Sequence, residues 1–402
     1  MSRNVVVTGM GVISPIGANL DAYWEGLSSG ASGFTKRAVE IGDLSITLPI
    51  APTDGLEDRV KALGPSLSRS DRVSQMAVLA ADEAIADAGL EIDDETSLRT
   101  ACIIGTGIGG MGTFDKTYYD MLRKERRPHP LTILRLIPNA PASHVSIRHH
   151  LRGPAFAISS ACSTGAHSIG VCADLIRSGA ADVGVAGASE AVLTYGALEA
   201  WHAMRILSDD ICRPFSKNRN GLVIGDGAGI LILEEEERAK ARGAKIYARL
   251  AGFGMNADGK DMINPAVEGA AGAMRTALDG VNIPDAEKVY INAHGTGTLM
   301  NDPTESKAIR EVFGTGANQL IVSSTKSMHG HLLGAAGGVE SIAAIMALNN
   351  GIIPPTMNYD QPDPECDLNY APNKAVERKV DLAVSNSFAF GGLNAVVAFE
   401  KT

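Results

Sequence analysis

The sequence predicts an α/β protein built in layers and from two similar halves. Three observations carry this reading: short apolar runs rich in β-branched residues, helical patterns between them, and two stretches that recur in order. "NVVVTGMG", "TACIIGTG", "ADVGVAGAS" and "GILILEE" are apolar without alternation, as strands covered on both faces are. Between them, "SQMAVLAADEAIADAGL" places apolar residues at helical spacing and stops at Gly89, a residue suited to a C-terminal cap. Strands alternating with helices give a layered α/β arrangement. The opening "RNVVVTGMGVISPIG" is echoed by "KIYARLAGFGMNADG", and "ISSACSTGAHSIG" by "VSSTKSMHGHLLGAAGG". Each member of the second pair runs from a strand end through Ser-Ser to a reactive residue and on into a Gly/Ala-rich helix. The charged segment Glu234–Lys245 lies between the echoes and divides the chain into residues 1–245 and 246–402.

Composition narrows the function classes. The chain has 402 residues, 45% hydrophobic and 20% charged, which is ordinary for a globular protein with ample core. A net charge of −10 argues against a nucleic-acid partner, which needs a basic footprint. Five cysteines, an odd number with no C-x-x-C pair, read as reduced thiols of a cytoplasmic protein. The first residues read as strand and turn, not as a signal peptide, and no run approaches the ~18 apolar residues of a membrane span.

Gly105, Gly107 and Gly110 have the G-x-G-x-x-G spacing of a dinucleotide site. Such a site wants an acidic residue at a second strand end about 20 positions on, and here the chain reads "DMLRKERRPHP". The glycines are therefore read as tight turns and close packing.

The reactive residues lie elsewhere. Cys162 sits among small residues where a helix opens, from Ala161 or Cys162 to about Ser178 with Gly179 beyond. The unpaired amides of a helix start carry positive partial charge and would lower the thiol pKa, making a nucleophile. Cys172, mid-helix among apolar neighbours, reads as core, and Cys366 in "DPECDLNY" lacks the Gly-rich turn a second catalytic thiol would need. His294 follows the apolar run of "YINAHGTGT", and Lys326, His329 and His331 share one loop before a helix. The H-x-H pair could serve a metal, but no third ligand stands near it, and no metal is predicted.

"SSACSTG", "NAHGTGT…ND", "STKSMHGHLLGAAG" and "SNSFAFGGLNA" together resemble the signature blocks of the β-ketoacyl-ACP synthases, most of all the elongating synthase II type. The likeness runs over essentially the whole chain. It implies a thiolase fold, with duplicated halves in a five-layered α-β-α-β-α arrangement, and a homodimer. It assigns Cys162 as the nucleophile that takes the acyl chain as a thioester. His294 and His331 become the decarboxylation pair and Lys326 the partner of Glu340. Phe390 becomes the gate, its N–H and that of Cys162 forming an oxyanion hole. The resemblance also implies substrate contacts at Thr296, Thr298, Phe388 and Ile108, the last at the bottom of the acyl pocket near the dimer interface. Asp302 and His329 are expected behind the site, and Asn301, Glu340 and Asn386 near a monovalent cation without a catalytic part.

The implied reaction joins an enzyme-bound acyl group to malonyl-ACP with loss of CO2 and needs no external cofactor. The partner is an acidic acyl carrier protein, met by Arg69 and Arg205 and by the run Arg123, Lys124, Arg126 and Arg127. The sequence departs from the family pattern at His329, where threonine is usual, at Ala389 and Leu393 in the gate, and at Arg135. These departures bear on chain preference. Three other readings stay in view: a ketosynthase subunit of a polyketide or polyene pathway, a non-catalytic chain length factor, which Cys162 speaks against, and a degradative thiolase.

Overall fold

The structure, a computed structural model, describes residues 3–402. Ten strands form its main sheet: β1 Val5–Ile13, β2 Thr100–Gly105, β3 Ala155–Phe156, β4 Val183–Glu190, β5 Gly227–Glu235, β6 Ala248–Ala257, β7 Val289–Asn292, β8 Ile321–Ser323, β9 Leu382–Ala389 and β10 Leu393–Glu400. They make two five-stranded leaves of one design. From the centre outward the first runs β1-β5-β4-β2-β3 and the second β6-β10-β9-β7-β8. In both leaves the two inner pairings are antiparallel and the two outer ones parallel. The leaves touch edge to edge only at Val6 opposite Arg249 and Val7 opposite Ala248. β1, β2 and β4 are buried at every residue, which is why their sequences show no alternation.

Helices complete five layers. α1 (Arg72–Asp87) packs outside the first leaf on β1 and β5, and α2 (Thr164–Arg177) packs on β4 and β2 from the inside. α3 (Val267–Leu278) covers β6 and β10 from the far side, with α4 (Asn301–Phe313) upon it. α5 (Ala336–Asn350) lies between the leaves, touching β5 and β9 as well as α2, and almost every residue of it is buried. α2 and α5 meet through glycine. A Cβ on Gly165 would come 2.5 Å from the Gly338 nitrogen, and one on Gly337 would come 2.4 Å from the Ala166 nitrogen. The Gly/Ala-rich character of both echoes is the cost of this close approach.

The echoes coincide in space with a different register from the one Ser-Ser suggests. Ala161 opens a 3-10 turn, Ala161–Ser163, at φ +49°, and Leu333 opens another, Leu333–Ala335, at φ +46°. Each turn feeds directly into α2 or α5. Left-handed φ is costly for residues with a Cβ, about 1–2 kcal/mol, so its recurrence at matching places marks a shared device. Cys162 therefore matches Gly334, not Lys326, and the Lys326–His331 segment precedes the second turn.

Two element boundaries differ from the expected ones. The α-helix after the cysteine starts at Thr164, so Cys162 lies in the 3-10 turn before it. The charged linker is helical only over Glu236–Ala241, because Glu234 is the buried end of β5, where Arg242 and Thr8 bond its carboxylate. No helix among the described residues is long and apolar enough to cross a membrane.

Candidate active site

A cleft of about 260 Å³ opens where the two leaves' turns meet. Cys162, His294 and His331 line it together, Thr296, Thr298 and Phe388 form its walls, and Arg205 stands at its mouth. His331 Nε2 is 3.1 Å from Cys162 Sγ. The rings of His294 and His331 are 5.3 Å apart at an interplanar angle of 83°, and Phe388 lies 6.1 Å from His294. The Cys162 sulfur and a nitrogen of each histidine all fall within 4.8 Å of one another. Those donors also have the composition of a zinc site.

Each group is held by backbone and by buried carboxylates. His294 leaves the end of β7, and Glu305 of α4 accepts its N–H and that of Gly295, both at 2.8 Å. His331 is pinned by its own N–H to the Val223 carbonyl at 2.7 Å, and its carbonyl accepts from Gly225 at 3.0 Å. Lys326 and Glu340 form an ion pair from which solvent is fully excluded. Asp302 accepts from the amides of Phe215, at 2.7 Å, and Gly297, at 3.2 Å, and so secures the turn that carries Thr296 and Thr298. The two threonine hydroxyls are 2.9 Å apart.

Electrostatics decides the protonation of these groups. Burial pushes the Cys162 thiol up to about 12, against the pull of the Lys326 ammonium and the Phe390 N–H. Burial thus works against the acidity expected of a thiol at a helix tip: Cys162 is 4% exposed, and desolvation disfavours its anion. The same burial, aided by Lys326, holds His294 and His331 well below the usual imidazole range. Both rings are therefore neutral near pH 7. Burial raises Glu340 to about 7 despite Lys326, and Asp302 to about 6.

Not every residue expected at the site lies in the cleft. Ile108 is 44% exposed and outside it. Arg69 lines a separate groove with Arg126, Arg127 and Arg135. Phe390 is at the cleft edge, its ring 6.1 Å from Trp201, and its N–H faces Cys162. His329 is buried behind the cleft, its Nδ1 2.8 Å from the Gly330 carbonyl and its ring 6.3 Å from Tyr23. Ala389 packs in the apolar cluster around Cys162.

Sequence reading missed two carboxylates, Glu305 and Glu190. Glu190 accepts from Thr106 Oγ1 (2.9 Å), Gly107 N (2.7 Å) and Gly334 N (3.0 Å), tying the glycine fingerprint to the second turn. A Cβ on Gly105 would sit 2.3 Å from Thr164 Cγ2, so close packing accounts for that glycine. For Glu305 a signal existed: an acid on the apolar side of a helix four residues past Asn301 has to be answered by donors.

Comparison with known proteins agrees with this geometry. Residues 2–239 match the family described as beta-ketoacyl synthase, N-terminal domain, and residues 247–360 the beta-ketoacyl synthase, C-terminal domain. The chain is 43% identical over 409 residues to nodulation protein E of Rhizobium sp. (strain N33), covering all of both chains. It is 42% identical over 413 residues to 3-oxoacyl-[acyl-carrier-protein] synthase 2 of Staphylococcus aureus (strain N315), covering all of this chain and 99% of the relative. Among solved structures, the ishigamide ketosynthase/chain length factor superposes with a TM-score of 0.93 at 35% identity over the full length of both chains.

Proposed function

The chain belongs to the β-ketoacyl synthase family, and we propose that within it this protein is a synthase II that elongates acyl chains carried on acyl carrier protein. The observation that carries the reading is the approach of Cys162 Sγ to His331 Nε2 at 3.1 Å, with His294 in the same buried cleft.

The reaction is a condensation in two half-reactions. In the first, Cys162 sulfur attacks the thioester carbonyl of an acyl carrier substrate. The thiol ionises as it attacks, with His331 Nε2–H, 3.1 Å away, donating to the sulfur, and its proton ends on the departing carrier sulfur. The oxyanion is met by the amides of Cys162 and Phe390. In the second, malonyl carrier loses CO2, and negative charge develops on its thioester oxygen. Two neutral imidazoles donating from Nε2 stabilise that enolate, which a pair of imidazolium ions would bind less selectively against the malonate. The enolate carbon attacks the acyl-enzyme, Cys162 sulfur leaves and takes up a proton from solvent, and 3-oxoacyl carrier departs two carbons longer. Lys326 acts through its field on both rings.

The carrier is the expected partner, with Arg205 at the mouth of the cleft receiving it; Arg205→Glu should raise KM for carrier substrates and spare short acyl thioesters of small thiols. We place the protein in the cytoplasm as a homodimer of chains divided at residue 245. Exposed Ile108 and Phe156, the latter on edge strand β3, support pairing across that edge, and light scattering of the purified protein decides it. A second reading, a ketosynthase working beside a chain length factor in a polyketide or polyene pathway, is favoured by the solved neighbour of that description. Incubation with a C4 to C16 acyl carrier series, followed by intact mass, tests the main reading. It requires an acyl adduct on Cys162 that Cys162→Ala lacks; an adduct retained in that variant overturns it.

A further inference from the structure

The residue after the nucleophile ties the site to the β9–β10 hairpin. Ser163 is fully buried, and its hydroxyl lies 2.8 Å from the Ser387 carbonyl and 2.6 Å from the Leu393 carbonyl. A hydroxyl has one proton, so it is shared between two acceptors that it brings to one point. Those acceptors bracket the closed end of the β9–β10 hairpin, where Ala389 pairs with Leu393. Between them runs the tight turn of Phe390, Gly391 and Gly392, closed by Gly392 N–H to the Ala389 carbonyl at 3.0 Å with Gly391 at φ +81°. The turn's next contact is to the exposed Met262, whose carbonyl accepts from Gly391. On the cleft side, then, a single hydroxyl joins the base of this turn to the backbone that carries Cys162. The matching residue of the second half is Ala335, which has no hydroxyl and no hairpin to hold.

We propose that Ser163 is a positioning residue for the oxyanion hole: it sets the hairpin end so that the Phe390 N–H stands beside Cys162 Sγ. This rests on the reading of Phe390 and Cys162 as the amide pair that receives the oxyanion. The consequence is selective. The amide pair serves attack on the thioester, both in acyl transfer and in condensation, whereas the enolate formed by decarboxylation is held by the histidines. Loss of the hydroxyl removes the bonds that Ser163 donates to these two carbonyls and frees the turn, but touches neither imidazole.

The test pairs two measurements. Ser163→Ala should slow acylation of Cys162, followed by intact mass in single turnover, by roughly 10- to 100-fold at saturating acyl carrier substrate with KM within about two-fold. In the Cys162→Gln background, Ser163→Ala should leave malonyl carrier decarboxylation within about two-fold of Cys162→Gln alone. Acylation at the wild-type rate overturns the proposal, and so does an equal loss of acylation and decarboxylation, which is the mark of a merely structural residue. Failure of the underlying reading shows separately, as a wild-type enzyme that forms no Cys162 adduct.

Discussion

The turn at Cys162 and the turn at Leu333 occupy matching places in the two halves: each follows an outermost strand, passes through one residue at φ near +48° and enters a central helix. They are stabilised by opposite means. The first is free of charge. Thr164 Oγ1 bonds the Ala161 carbonyl at 2.7 Å and receives the Ser160 N–H at 2.9 Å, Ser160 Oγ meets His167 Nδ1 at 2.8 Å, and Ser163 reaches the hairpin. The second is ringed by ionisable groups: Glu190 on Gly334, and the Lys326–Glu340 pair before and after it. The difference separates two duties. A nucleophile that must lose and regain a proton sits in a frame of hydroxyls that do not titrate near neutrality. The charge that biases its surroundings is gathered at the second turn, Lys326 and Glu340 from the second half and Glu190 from the end of β4, and Lys326 adds to burial in keeping the imidazoles neutral.

The strongest way to break that comparison is Lys326→Met. Removing one member of a buried pair costs about 3–5 kcal/mol, because Glu340 is left uncompensated in a solvent-free site. A urea midpoint lowered accordingly, and largely recovered by adding Glu340→Gln, is the expected result; a variant as stable as the parent would mean the second half does not store charge. Next is His294→Ala in the Cys162→Gln background. Loss of one donor to a developing oxyanion costs about 10²–10³-fold in rate, so CO2 release from malonyl carrier should fall by that factor. Decarboxylation at the parent rate would remove His294 from the enolate.

How much of this the sequence carried follows from what neighbours in sequence can report. Cys162, His294, Lys326 and His331 each stand in a local block whose residue types suit a strand end or a helix start, and all four come together in or beside one cleft. Depth is not a local property. "SSACSTG" reads as an accessible helix tip, and only the packing of Val192, Leu222 and Leu333 around the sulfur reveals that burial governs its proton. Glu190 and Ser163 were illegible for a related reason, and Glu305 showed only as an acid in need of donors: their partners include backbone amides and carbonyls 10 to 230 residues away, and main chain has no letter. The register of the two echoes was misleading because Ser-Ser recurs at a strand end, while the shared turn is recorded only in φ.

The contact between the halves offers a smaller perturbation. Gly165→Ala puts a methyl group 2.5 Å from the Gly338 nitrogen at the crossing of α2 and α5. Overpacking of this kind costs about 1–3 kcal/mol, and both turns would be pushed apart together. Stability and both half-reactions should decline in step, unlike the selective loss expected at Ser163. A Gly165→Ala protein that loses acylation alone would show that the two turns do not share a rigid support.

The mildest expected effect is none. If burial and Lys326 hold both imidazoles neutral, 15N shifts of His294 and His331 should not titrate between pH 8 and 6. The sign of the linkage explains why a melt cannot replace this measurement. Histidines with depressed pKa values bind protons more weakly in the native state, so their contribution is present above the unfolded pKa near 6.5 and lost as pH falls below it. Glu190 and Glu340, both raised to about 7, act in the opposite direction: they favour the native state below about 4.5 and lose that contribution as pH rises to about 7. The two trends overlap and offset each other in global stability, but not in the shifts of single nitrogens. An imidazole of the pair that titrates at or above 6.5 would place a cation beside Cys162 at working pH and transfer the bias on its proton from the second half to the pair itself.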